Sequence, residues 1–249
     1  YVVKVVNSGD EDDDFYLKFN VPNVGTANID YFGEGSWEEC VAPSSEITID
    51  KTTMPIKLVR ELPGNVYTNG RFLAQEIDYK ERNVGDNNTN PIPSFIDSNI
   101  EKMMFFRNRL VVLSKANVIV SKTNDFFNFF STTAMSEVSA DPIDIQASST
   151  FPTTLFDGIE VNTGLLLFSS NQQFMLTTDS DALTPTTAKI NYLSSYNFNE
   201  KTNPFSLGIT SGFINSSGKN SRIFEMTSIA REGEPQVIEQ SKLIAKKLP

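Results

Sequence analysis

Apolar residues in this chain gather in short stretches, mostly four to six positions long, that end in Asn, Gly, Ser, Asp or Pro. Short runs bounded by turn formers read as strands, because an amphipathic helix needs its stripe sustained over several turns. Val2–Val6 and Phe15–Phe19 flank the acidic run Asp10-Glu11-Asp12-Asp13-Asp14. In the second stretch Phe15, Leu17 and Phe19 alternate with Tyr16 and Lys18, the period of a half-buried strand. The pair predicts a hairpin with an acidic turn. Ile29–Phe32, the turn Gly33-Glu34-Gly35 and Trp37–Val41 predict a second hairpin. Residues 1–52 therefore read as a small β module, inserted or accessory, and Ser44–Thr53 as its polar connection to the rest.

Residues 53–249 carry a longer pattern. Asn83–Ser94 holds Gly85-Asp86-Asn87-Asn88-Thr89-Asn90-Pro91 and then Pro93, a density of turn residues that neither a helix nor a central strand tolerates. It predicts a long ordered or semi-ordered loop. Beyond it a strand–turn–strand unit recurs. Arg109–Ser114, a turn at Lys115–Asn117 and Val118–Ser121 make the first copy. Gly164–Ser169, a turn near Asn171 and Gln173–Leu176 make the second. A fainter third has Gly212–Asn215, a longer turn through Ser217–Asn220, and Arg222–Met226. Repeats of about 50 residues fall in the range of propeller blades, small sheets that pack against their neighbours around an axis. The end changes period: Val237, Ser241, Ile244 and Leu248 share one helical stripe, with Pro235 at a first-turn position and Lys242, Lys246 and Lys247 near the C-terminal end. This predicts a C-terminal helix packed on the β body. The fold class expected is mainly β: short antiparallel hairpins and sheets forming part of a β-propeller over 53–249, with the small N-terminal module and the helix.

Composition narrows the chemistry. The net charge of −10 and pI near 4.6, with no Lys/Arg cluster larger than Lys246-Lys247, disfavour tight nucleic-acid binding. There is no histidine, which removes Ser-His-Asp and Cys-His arrangements and the common zinc sites. The single cysteine, Cys40, excludes an intramolecular disulfide and reads as a buried thiol. Carboxylate pairs are the remaining catalytic option, but among 31 Asp and Glu residues a neighbouring pair such as Asp141 and Asp144 carries little weight. The run Asp10–Asp14 is compatible with calcium or with a solvated hairpin tip; it lacks the spaced ligands and central Gly of an EF-hand loop. Phe126-Phe127-Asn128-Phe129-Phe130 is compatible with a stacking platform or, preferably, with core packing or a subunit contact. No catalytic residue, metal site or cofactor is implied. No apolar run approaches a membrane span, and the start has no signal-peptide pattern. The chain opens directly on a strand-like run without Met and stops at Pro249, so it reads as a fragment.

The middle of the chain resembles the tail nozzle (tail tubular protein B) family of short-tailed phages, the podoviruses. The residues that carry the resemblance are Gly85–Phe95, Phe105-Phe106-Arg107-Asn108-Arg109-Leu110, Leu113-Ser114, Val118–Ser121, Asp125–Phe129 and Asp141–Asp144. Leu165–Ser169 with Gln173-Phe174 and Leu183-Thr184 follow, and Trp37-Glu38 and Met54–Arg60 precede them. The match spans roughly residues 37–190, and its specificity lies in the shared order and spacing. It implies a virion structural protein built around a β-propeller and made in the host cytoplasm. Identical subunits would form a ring, sixfold in the full-length protein, in contact with the adaptor ring and tail fibres. DNA would pass through the ring without sequence-specific binding. Acidic loops would let phosphates slide, and Asp12, Asp13 and Asp14 are the candidate lumen residues. The rival readings are a host-surface adhesin or polysaccharide depolymerase of the tail, and a propeller-type scaffold unconnected with virions.

Overall fold

The computed structural model describes residues 1–6, 14–21, 35–61, 71–180, 182–217, 220–227 and 235–242. The chain forms two compact units, Tyr1–Ile92 with Phe127–Glu137, and Pro93–Phe126 with Val138–Pro249.

In the first unit, β1 (Val2–Val5), β2 (Phe15–Asn20) and β3 (Ser36–Cys40) form an antiparallel sheet with β2 in the centre. The expected hairpin is present, with Val5 opposite Phe15. Its acidic tip at Asp10–Asp13 lies outside the described residues, as do Ile29–Phe32 and the Gly33-Glu34 part of the second turn. Trp37–Cys40 is a strand as expected, and its neighbour in the sheet is β2. A single 3-10 turn at Lys51–Thr53, capped by the Asp50 side chain, leads to β4 (Ile56–Arg60). Among the described residues this strand pairs with β5 (Phe72–Glu76) alone.

Among its described residues the second unit holds three consecutive four-stranded antiparallel sheets, each in chain order. The first holds β6 (Lys102–Phe106), β7 (Arg109–Ser114), β8 (Asn117–Val120) and β9 (Ile143–Gln146). The β6–β7 turn places Arg107 and Asn108 both at positive φ, the twist a two-residue hairpin loop requires. The second sheet holds β10 (Leu155–Val161), β11 (Gly164–Ser169), β12 (Gln173–Thr178) and β13 (Ala188–Ser194). The third holds β14 (Phe205–Ser206), β15 (Thr210–Ser217), β16 (Asn220–Thr227) and β17 (Val237–Glu239). The sequence repeat is the inner hairpin of each sheet: β7–β8, β11–β12 and β15–β16. In the third copy the ladder runs on to Ser217 opposite Asn220.

Burial explains why Leu165–Phe168 is a continuous apolar run. Side chains alternate across a strand, and here both faces are covered. Leu165, Leu167, Phe174 and Leu176 join Val111, Leu113, Val118 and Val120 of the first sheet in one core. Leu166, Phe168 and Met175 join Phe213, Phe224 and Met226 of the third sheet in another. Lys102 Nζ adds an ion pair to the buried Asp157, 2.9 Å away, between the first and second sheets.

The C-terminal helix is not formed where it was expected. Val237–Glu239 is β17, with Val237 opposite Met226 and Glu239 opposite Phe224. The stripe is real in spacing, but β16 has an edge of backbone groups that need partners, and the β-branched Val237 and Ile238 suit a strand. The Gln240 amide continues the pairing onto the Ile223 carbonyl at 2.9 Å, and the Ile223 amide donates to Ser241 Oγ, also at 2.9 Å. Ile244 and Leu248 lie outside the described residues.

Candidate functional site

Two buried arginines tie loops together, mostly through backbone carbonyls. Arg82, 1% exposed, lies just before the Gly85–Pro91 loop. Its Nη1 donates to the Asp86 carbonyl (3.3 Å), Asn87 Oδ1 (2.9 Å) and the Asn90 carbonyl (3.0 Å). Its Nε and Nη2 are buried without a partner. The loop closes on itself. Asp86 Oδ1 accepts from the amides of Asn88 (2.9 Å) and Thr89 (3.1 Å), while Asn90 Nδ2 donates to the Val84 carbonyl (3.0 Å). Gly85 sits at φ +76°, where a Cβ would also run into Thr89 and Asn90, so only glycine fits. Burial pushes the Asp86 carboxyl up, but the amides of Thr89 and Asn88 and the hydroxyls of Thr89 and Tyr16 outweigh it and hold the group below its usual range.

Arg109 does the same in the second unit. It is 1% exposed, with Nη1 donating to the carbonyls of Ser121 (2.9 Å) and Asp141 (2.7 Å) and Nη2 to those of Ser139 (2.9 Å) and Leu183 (3.0 Å). Burial pushes its guanidinium down, yet an arginine keeps its charge in any protein environment. Neither arginine was singled out from the sequence for such a role. The available signals were a cation heading the apolar run Arg109–Leu113, where the second repeat has Gly164, and a cation three residues before a turn-rich loop.

Of the three candidate lumen residues, Asp14 is 1% exposed and its carboxylate lies 2.7 Å from Lys4 Nζ at the foot of the first hairpin. That partnership holds the Lys4 ammonium above its ordinary value. Asp12 and Asp13 lie outside the described residues. Asp141 and Asp144 have separate partners. Asp141 is buried with Lys122 Nζ at 3.7 Å, while Asp144 accepts from the Ser94 amide (2.8 Å) and Asn117 Nδ2 (3.2 Å). The phenylalanine cluster is spent on packing: Phe129 and Phe130 are buried, Phe127 meets the Tyr79 ring edge-on at 6.0 Å and Phe126 meets Phe105 at 5.0 Å. Cys40 is half-buried, and burial pushes its thiol up, lowering its thiolate fraction. A cleft of about 620 Å³ lies between the β7–β8 turn and the 149–154 loop, and its lining of Lys115, Asn117, Gln146, Phe151 and small residues includes no carboxylate. Among the described residues no cluster of His, Cys, Asp and Glu could hold a metal ion, and no helix is long and apolar enough to cross a membrane.

The residues that position loops are thus built in. A protein-family model described as bacteriophage nozzle protein matches residues 1–246. The chain belongs to that family. It is also 30% identical over 209 residues to the tail tubular protein gp12 of Escherichia phage T7, a match covering 84% of this chain and 24% of that protein. The chain therefore spans about a quarter of the length of this curated relative. The nozzle family is one of structural tail components and not an enzyme family, and a tail protein has its place in the virion.

Proposed function

We propose that the chain is part of a tail nozzle subunit, and that identical copies, six in the full-length protein, form the ring through which phage DNA is ejected into the host. The observation that carries this reading is membership of the nozzle family over residues 1–246. Charge supports it. A net charge of −10 repels duplex phosphates and withholds the many Lys and Arg contacts that would retain DNA, so the passing genome slides without sequence-specific binding. Three stacked four-stranded sheets, each built on the same hairpin, support a second part of the reading: they are blades of a β-propeller, since a blade buries its two faces only against neighbours. Residues 1–52 are the accessory β module of this subunit and residues 53–249 carry the blades. The adaptor ring and tail fibres are its partners in the virion, and the subunit is made in the host cytoplasm before assembly. The carboxylate-free cleft favours this passive role over polysaccharide hydrolysis, which needs a pair of acids.

Of the candidate lumen residues Asp12, Asp13 and Asp14, the buried Asp14 is paired with Lys4 and anchors the start of its strand, so the lumen role falls to Asp12 and Asp13. The test replaces Asp12 and Asp13 with Lys and keeps Asp14, so that the Lys4 pair stays intact. Virions carrying the double variant should eject more slowly or retain DNA at the ring, and unchanged ejection kinetics would remove the role. Electron microscopy of the full-length parent, classified without imposed symmetry, should give a sixfold ring with a lumen. A trimeric spike would point instead to a host-surface adhesin or depolymerase.

A further inference from the structure

The segment between β9 and β10 forms one wall of the cleft at the β7–β8 turn. At its apex Phe151 stands 61% exposed, yet the backbone beneath it is pinned. Ser149 Oγ donates to Oε1 of the buried Gln172 (2.6 Å) and accepts from the Phe151 amide (3.2 Å). Thr153 Oγ1 donates to the Phe151 carbonyl (3.0 Å). The Ala147 amide ties the start of the loop to the Ala116 carbonyl at 2.9 Å, and the Leu155 amide ties its end to the Lys115 carbonyl at 2.7 Å. A large aromatic side chain displayed on a fixed loop is a contact surface prepared in advance, because little freedom is left to lose on binding.

The lining narrows the occupant. The cleft, about 620 Å³, falls within the roughly 300–1,000 Å³ of small-ligand sites. Beside Phe151 it presents the Lys115 ammonium, the Gln146 carboxamide and the Thr150 and Thr154 hydroxyls, whose side chains have no partner among the described residues. An aromatic face flanked by amide and hydroxyl groups complements a sugar, whose C–H face is apolar and whose rim carries hydroxyls. The single cation matches a ligand with one carboxylate per sugar, as in a uronic acid. A nucleic acid fits poorly, since its phosphates draw on several cations and this chain carries a net charge of −10. An apolar peptide fits poorly too, because Phe151 is the one large apolar side chain among the described lining residues. Those residues include no carboxylate, so the acid pair that hydrolysis needs is not among them.

We propose that this cleft binds an acidic saccharide, one sugar lying on Phe151 with its carboxylate on Lys115 and its hydroxyls on Gln146 and Thr150, and holds it without cutting it. The proposal is independent of the subunit-ring reading, because every residue it uses lies in one unit of one copy. The test is saturation-transfer NMR of the 249-residue chain with a panel of acidic oligosaccharides, built on galacturonate, mannuronate or sialic acid. Neutral maltotetraose and the nucleotide AMP serve as comparisons, and thermal unfolding confirms that each variant is folded. At least one acidic oligosaccharide should bind with a Kd of about 1 mM or tighter, about 10-fold or more tighter than maltotetraose. The strongest transfer should fall on the C–H protons of one sugar face. Phe151→Ala removes an exposed side chain and should weaken binding about 10-fold or more. Lys115→Asn suits the φ of +50° at that position, and it should bring acidic binding down to the maltotetraose level. A panel in which nothing binds at about 20 mM overturns the proposal. Binding that both variants leave unchanged also overturns it, as does AMP binding more tightly than every saccharide.

Discussion

Arg82 and Arg109 head the fully buried side chains by size; Arg109 bonds backbone oxygens alone, while Arg82 reaches two carbonyls and the Asn87 side chain and leaves two nitrogens unpaired. Arg109 uses both ends of its fork on four carbonyls, so removing it strands several buried acceptors at once. Arg109→Met should lower unfolding free energy by about 3 kcal/mol or more in urea titrations. Arg109→Lys should rescue little of this, because an ammonium cannot span the fork. Arg82→Met should cost less, since two of its buried nitrogens have no partner to lose. Asp86 supplies a pH signature in the same loop. Its folded pKa is depressed, so its contribution is present above the unfolded value of about 4 and is lost as the pH falls through the folded value. The stability gap between wild type and Asp86→Asn should be flat from pH 7 to about 5 and close below about 4. A gap that widened in acid would refute this account of the loop.

At the scale of elements, hairpins were legible because their determinants are local: alternating apolar positions, turn residues, and β-branched or aromatic side chains. The end of the chain was misread for the complementary reason. Its helical stripe is a local property, whereas the edge of β16 that turns Val237–Glu239 into a strand is supplied by residues some dozen positions earlier. Gly164 marks another constraint that periodicity does not carry. It is the first residue of β11, and a Cβ there would press into the Leu176 carbonyl oxygen of β12, a backbone atom that cannot step aside. Gly164→Ala should therefore destabilise the second sheet by about 1–3 kcal/mol, seen as a lowered thermal midpoint. Gly212→Ala provides the comparison, because there the obstacle is the Phe205 ring on a short edge strand, and the loss should be smaller.

At the scale of the whole molecule, acidity matters more than any single carboxylate. Screening confines repulsion to within about 8 Å at physiological salt, so only charges lining a lumen would act on passing DNA. The wild-type chain should show no binding to duplex DNA by fluorescence anisotropy at about 0.15 M salt. In the ring proposed above, the Asp12→Lys and Asp13→Lys pair should introduce binding that weakens steeply with added salt, as counterion release demands. Binding that ignored salt would disconnect those positions from phosphate contact.

What the sequence by itself determined is the class of the fold, the recurring hairpin, the order of motifs that resembles the nozzle family, and the lack of histidine chemistry. All of these depend on residue type and near-neighbour spacing. Only the tertiary structure decided which side of Leu165–Phe168 enters which core, that the last described strand is β17, and that Phe151 stands exposed at the cleft. It alone assigned the buried arginines their acceptors. Those of Arg109 lie 12 to 74 residues away along the chain. A strand's partner and a buried cation's oxygens are long-range quantities, fixed by how sheets stack, and no local pattern of hydrophobic and polar positions encodes them.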